Sequence, residues 1–190
     1  MNWNKKSENM KVIIVHGWQG CNKGHWQEWL YNELKRKGTE AYLPLLPNAG
    51  NPIQEKWIQK LKKFEPFNKE TILVGHSLGC TTILRLLEQM TETQKVGKVL
   101  LVCGWNEGDH GIKEIANFFK TPLNWKKIKE KAKQFIVINS DNDPYFPLEK
   151  GKKLAEELGV KCIVEHNAGH INVKSGFGPY PKLLKLILLM

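Results

Sequence analysis

The sequence is poor in arginine, aspartate, serine and cysteine, and each shortage narrows what the chain can do. Arg36 and Arg85 are its only arginines, although lysine and arginine together number 29 against 19 acidic residues, for a formal net charge of +10. That balance invites a nucleic-acid partner, but the guanidinium fork that reads bases and phosphates bidentately is almost missing. The lysines are instead mixed with glutamate, as in Lys126-Lys127-Ile128-Lys129-Glu130-Lys131-Ala132-Lys133. This is the pattern of a solvated helix face with a weak pull on acidic groups. We therefore expect no nucleic-acid partner.

The four cysteines, Cys21, Cys80, Cys103 and Cys162, contain no C-x-x-C pair. That argues against a disulfide framework or a zinc site and for a reducing compartment. Cys103 and Cys162 sit in strand-like runs, where a thiol serves as a small hydrophobe. Long apolar runs are lacking too. Residues 183–190 are apolar but short and interrupted by Lys185, and residues 1–10 lack the apolar core of a signal peptide. The expectation is a cytoplasmic protein without a membrane segment, with a flexible leader over residues 1–10.

What is present is ordinary for a globular chain of 190 residues, 41% hydrophobic and 25% charged, which fits a single domain spanning residues 1–190. Continuous apolar runs at 11–15, 39–43, 71–74, 98–103, 134–138 and 161–165 read as strands covered on both faces. Between and after them, residues 25–37, 53–61, 80–90, 148–158 and 181–189 carry helical periodicity. The alternation predicts an α/β fold: a six-stranded parallel sheet, in the order 2-1-3-4-5-6, sandwiched between helices as three layers. Residues 104–133, the least regular stretch, read as a short insertion over the site after the fourth strand.

The chain's organising stretch is Gly75-His76-Ser77-Leu78-Gly79, between the third strand and a helix. Strand, G-x-S-x-G and helix in that order are the context of a nucleophile elbow, in which a strained turn lifts a serine hydroxyl clear of the sheet. A Cβ at position 75 or 79 would clash where strand and helix crowd together. A serine needs a base, and the base needs an acid to hold its tautomer. Chain order in this elbow class is serine, acid, histidine. The aspartates are Asp109, Asp141 and Asp143. Asp141 and Asp143 both follow the fifth strand, at the carboxyl end where ligands of parallel sheets gather. Either can serve, with the other building the turn before Pro144. Asp109 has no histidine assigned to it. Of the histidines after the sixth strand, His166 abuts the strand end, whereas His170 follows Gly169 in a loop long enough to reach back over Ser77. His170 is the expected base. His76 should point away from Ser77 and pack under the turn. The remaining histidines, His16, His25 and His110, make no metal-binding pattern, and no metal or cofactor is expected.

A developing oxyanion needs preorganised donors. The backbone N–H of Leu78 and that of Trp18, in the loop His16-Gly17-Trp18 after the first strand, are the candidates. His16, Gly17, Trp105, Phe119 and Trp125 are candidates for a small apolar acyl pocket. The competing expectation is that the rings of the insertion, Phe118 included, anchor it to the body.

The chain resembles the α/β-hydrolase superfamily and, more narrowly, the small serine hydrolases typified by retinoblastoma-binding protein 9 and bacterial YdeN. The likeness runs from His16-Gly17-Trp18 through His25-Trp26, Leu45-Leu46-Pro47-Asn48, the elbow, Phe119 with Pro122 and Trp125, and Asp141-Asn142-Asp143-Pro144-Tyr145-Phe146-Pro147, to Gly169-His170. The resemblance implies a minimal α/β-hydrolase fold with Ser77 as nucleophile, Asp143 as acid and His170 as base. It implies a serine hydrolase acting without a cofactor on a small-molecule ester, thioester or amide. Two rivals keep the fold: a lyase or acyltransferase on the same triad, and a protein-binding module presenting Trp18, Trp26 and Trp105 as an exposed patch.

Overall fold

The computed structural model describes residues 10–189 apart from residues 21, 22, 24 and 109. Most of the leader, together with Cys21 and Asp109, thus lies outside the described residues. Six strands form one sheet in the order β2-β1-β3-β4-β5-β6. They are β1 (Lys11–Val15), β2 (Glu40–Tyr42), β3 (Thr71–His76), β4 (Val96–Val102), β5 (Ala132–Ser140) and β6 (Cys162–Glu165). Every pairing is parallel. The helices are α1 (Trp26–Arg36), α2 (Gln54–Lys62), α3 (Leu78–Gln89), α4 (Trp125–Glu130), α5 (Leu148–Leu158) and α6 (Pro181–Leu188). Two 3-10 turns, Lys113–Phe118 and Val173–Ser175, complete the described elements.

The strand period of two decides the layers. Ile13, Val15, Leu73, Val99, Leu101 and Val137 face one core with Trp57 and Leu61 of α2, Ile83 and Leu84 of α3, and Leu154 of α5. Val12, Ile14, Ile72, Val74, Leu100, Val102 and Ile138 face the other core with Leu30 and Leu34 of α1 and Leu183 and Ile187 of α6. Both sheet faces are therefore covered, which is why the central strands read as unbroken apolar runs. The first and third strands lie side by side, Val15 opposite Gly75. That register brings the loop after β1 against the elbow after β3.

The basic stretch 126–133 is less solvated than its charge pattern predicts. Lys131 is buried, its Nζ donating to the Thr91 carbonyl at 2.8 Å. A lysine stem can be buried when its ammonium finds acceptors at the end of it. β5 begins at Ala132, so the irregular stretch ends within the predicted insertion. Arg85 of α3 fixes that stretch. Its guanidinium is buried and donates to the carbonyls of Phe118, Thr121 and Pro122 and to Glu88.

Candidate active site

Ser77 holds the turn from β3 into α3 with φ 55° and ψ −126°. A non-glycine residue there carries strain of about 1–3 kcal/mol and persists only where its surroundings over-determine it. They do so here. The Ser77 N–H donates to the Val102 carbonyl at 2.9 Å. A Cβ on Gly75 would lie 2.8 Å from the backbone nitrogen of Cys80, and one on Gly79 would lie 2.3 Å from the Val15 carbonyl oxygen. The elbow helix is thus pressed against the end of β1 as well as against its own strand.

Asp143 and His170 are brought together: Oδ2 and Nδ1 are 2.7 Å apart, with the carboxylate buried. The other carboxylate oxygen, Oδ1, accepts the N–H groups of Tyr145 at 2.8 Å and Phe146 at 3.3 Å. Asp143 therefore builds the turn before and after Pro144 while it also holds the imidazole. The sequence expectation had divided these duties between the two aspartates. Asp141 does something else. Its Oδ2 lies 2.6 Å from Nδ1 of the exposed His166, and its Oδ1 accepts the Asn167 N–H at 2.8 Å. That N–H and His166 hold the Asp141 carboxyl below the usual range.

Short polar bonds fasten the loop that carries His170. Asn142 Oδ1 accepts from the Gly169 N–H at 2.7 Å and from the Ser140 hydroxyl at 2.8 Å. Ser175 Oγ accepts the His170 N–H at 3.1 Å. None of Asn142, Ser140 or Ser175 was singled out from the sequence, because each acts only through the fold.

On the opposite side, a Cβ on Gly17 would lie 2.8 Å from the Ser77 Cβ, so glycine is required for the close approach of this loop. Neither the Trp18 nor the Leu78 N–H donates to a protein acceptor among the described residues. The Trp18 indole donates to the Gly50 carbonyl at 2.9 Å, which ties the loop down. His16 is buried. Its Nδ1 donates to the Gly17 carbonyl at 2.8 Å and its Nε2 accepts the Leu46 N–H at 3.0 Å. Burial lowers its pKa.

Between the two sides lies a cleft of about 280 Å³, lined by Ser77, His170, His16, Gly17, Trp18 and Trp105, among others. Ile112, Ile115, Tyr145 and Phe146 complete an apolar wall. The Trp105 and Phe146 rings stack with centroids 3.9 Å apart. Phe119 does not line the cleft; it stacks behind Trp105 at 5.6 Å. Trp125 packs on the core, and Phe118 is buried against Trp57. These insertion rings are thus anchors. Tyr145 and Phe146 could have been found, since they follow the Asp143-Pro144 turn directly. Gln27, Asn172 and Lys174 also line the cleft, without a sequence signal. The proposed tryptophan patch is not an exposed surface: Trp26 and Trp105 are both buried.

His76, Cys103 and His170 offer donor atoms within 4.8 Å of one another. One ring nitrogen of each histidine already has work. The His76 Nε2 donates to the His170 carbonyl, and the His170 Nδ1 faces Asp143. Burial, reinforced by the Asp143 charge, raises the Cys103 thiol well above its ordinary value. A metal ligand must be a thiolate, so the trio favours a proton-bearing network over an ion. Cys103 is fully buried, as expected of a thiol serving as a small hydrophobe, and it faces Asp143.

The family model described as "Serine hydrolase" matches residues 12–188. YdeN of Bacillus subtilis is 31% identical over 172 residues, covering 90% of each chain. The serine hydrolase RBBP9 of Rattus norvegicus is 26% identical over 166 residues, covering 83% of this chain and 80% of its own. The crystal structure of the ydeN gene product superposes with a TM-score of 0.89 at 30% identity, covering 94% of this chain and 96% of that one. With a matching fold and a family match over nearly its whole length, this chain belongs to the serine hydrolase family of α/β-hydrolase enzymes.

Proposed function

We propose that Ser77, Asp143 and His170 form the catalytic triad of a hydrolase that cleaves a small carboxylic ester, thioester or amide through an acyl-enzyme. The observation that carries this is the buried 2.7 Å contact between Asp143 Oδ2 and His170 Nδ1, in a cleft that Ser77 also lines from a strained turn. With Nδ1 engaged by the carboxylate, Nε2 is the nitrogen left to exchange protons. Ser77 Oγ attacks the carbonyl carbon while Nε2 takes its proton. The N–H groups of Leu78 and Trp18 stabilise the oxyanion. As the carbonyl reforms, the leaving group departs with the proton from Nε2. Water then attacks the acyl-enzyme, gives a proton to Nε2, and releases the acid as Ser77 recovers its hydroxyl. Asp143 orients the imidazole and stabilises the imidazolium that forms.

The cleft's small volume and the Trp105-Phe146 wall support a short or flat apolar acyl group. Free thiols at Cys80, Cys103 and Cys162 accord with work in the cytoplasm. The test is a panel of chromogenic acyl esters, thioesters and amides of graded length, run on the wild type and on Ser77→Ala, with fluorophosphonate labelling in parallel. Turnover and labelling should both vanish in the variant. Labelling that survives it would refute the assignment.

A further inference from the structure

The segment that carries His170 has no sheet or helix ladder to hold it, and its backbone is strained. Asn167, Gly169 and Ile171 all have positive φ, at 53°, 53° and 44°. For a β-branched residue such as Ile171 this is a conformation that the surroundings must impose. Two buried ring N–H groups do so from below. The His76 Nε2 donates to the carbonyl of His170 at 2.9 Å. The Trp26 indole donates to the carbonyl of Ile171 at 2.8 Å. The two donor rings meet edge to face at 5.7 Å, so each fixes the other.

We propose that His76 and Trp26 are positioning residues for His170, a pair of donors that hold consecutive carbonyls of its loop at a set distance from the elbow. The inference rests on the triad assignment above. Asp143 constrains the imidazole at one ring nitrogen only, so the ring would still move with its loop if the backbone were free. Asn142 and Ser175 hold N–H groups of that loop, and His76 adds the hold on its carbonyl side by a short route, since it is the residue before Ser77. One peptide link and one hydrogen bond then join the serine to the backbone of the histidine. A carbonyl can only accept, so Nε2 of His76 bears the proton. Burial, and next to it the nearby His170, push the His76 pKa down to about 3, which keeps the ring neutral and Nδ1 unprotonated at working pH. Ile171 is fully buried among the α1 and α6 side chains, so the loop is anchored on its far side as well.

The test compares His76→Leu, which removes the donor, with His76→Gln, whose amide N–H has nearly the same reach. Kinetics are read on a chromogenic ester, with urea unfolding to confirm that each variant is folded. We expect His76→Leu to lower kcat by about 10–100-fold with little change in KM, as misplacement of a base by about 1 Å does. His76→Gln should recover most of that loss. Wild-type kcat in a folded His76→Leu overturns the proposal, and so does a His76→Gln as impaired as His76→Leu. If His76→Leu does not fold, Trp26→Phe, which keeps an aromatic ring but loses the N–H, is read by the same criterion. Ser77→Ala and His170→Ala run beside them. Turnover surviving in those two sinks the triad assignment itself; turnover lost in those two but kept in His76→Leu and Trp26→Phe sinks only the positioning role.

Discussion

Asp141 and His166 meet at 2.6 Å on the exposed surface, separate from the buried contact that Asp143 makes with His170. Two aspartates two positions apart thus serve two histidines, sorted by burial. The exposed pair sits in water, where such contacts are worth little. The buried one sits where a carboxylate orients an imidazole and stabilises its charged form. Asp143→Asn should therefore lower kcat by about 10⁴-fold, as loss of the acid does in serine hydrolases generally. Asp141→Asn should stay within about threefold of wild type, since its partners are the exposed His166 and the Asn167 N–H rather than His170 or Ser77. Steady-state kinetics of the two variants on one chromogenic ester decide it, and equal losses would contradict the sorting.

Gly17 is the second place where geometry sets activity. An added Cβ would lie 3.2 Å from the Ser77 hydroxyl oxygen and 2.8 Å from its Cβ. The serine cannot give way easily because the elbow holds it, nor can the loop retreat, because the Trp18 indole is bonded to the Gly50 carbonyl. Overpacking of this kind costs about 1–3 kcal/mol of stability. The displaced serine should cost more in rate, about 100-fold in kcat/KM. Fluorophosphonate labelling rates of folded Gly17→Ala measure this directly, and a wild-type rate would show that the loop is looser than the contact implies.

Sheet order and the elbow were legible because both follow from one-dimensional signals, whereas the residues alone left Asp141 and Asp143 equal as partners for His170, and only the family likeness pointed to Asp143. Unbroken apolar runs mark strands covered twice, and G-x-S-x-G between strand and helix marks the turn. The rest depended on directions that residue type does not encode. Phe119 and Trp125 were candidates for the cleft, yet an irregular stretch has no period to say which way a ring faces, and both turn toward the body. Lys131 looked like a surface charge because its burial needs a carbonyl, Thr91 O, 40 positions away in the chain. His76 was expected to pack under the turn, and it does lie buried there. Its bond to the His170 carbonyl spans 94 positions and left no trace in local pattern.

Arg85 carries a stability prediction. It lies inside α3, yet its guanidinium satisfies carbonyls of Phe118, Thr121 and Pro122 and pairs with Glu88. Arg85→Met fills much of the volume but leaves those carbonyls and a largely buried carboxylate without their donor. Breaking such a network costs about 3–5 kcal/mol. Urea unfolding should show a loss of that size, and limited proteolysis should cut first between residues 113 and 124. A loss below about 1 kcal/mol, within the range of ordinary surface pairs, would mean that the insertion is held by its aromatic rings alone.

Acid stability follows from two of the buried histidines, His16 and His76. Burial is the main cause in both: it lowers the pKa of His16, and it lowers that of His76 from 6.5 to about 3. Depressed values mean that the unfolded chain binds protons which the folded chain refuses. Their contribution is complete above about pH 6.5 and is lost as the pH falls, for His76 down to about 3. Carboxylates held below their ordinary values, Glu107 and Asp141, begin to act only under 4.5 and 3.8 respectively. The interval between 6.5 and 4.5 therefore lies above the range of those carboxylates. Within it the proton refused by His76 contributes a slope approaching about 1.4 kcal/mol per pH unit. Unfolding free energies from urea titrations across that interval should fall steadily for the wild type. His76→Gln removes one refused proton, so its slope should be shallower by about that amount. Parallel slopes for the two proteins would show that residue 76 takes up its proton in the folded state.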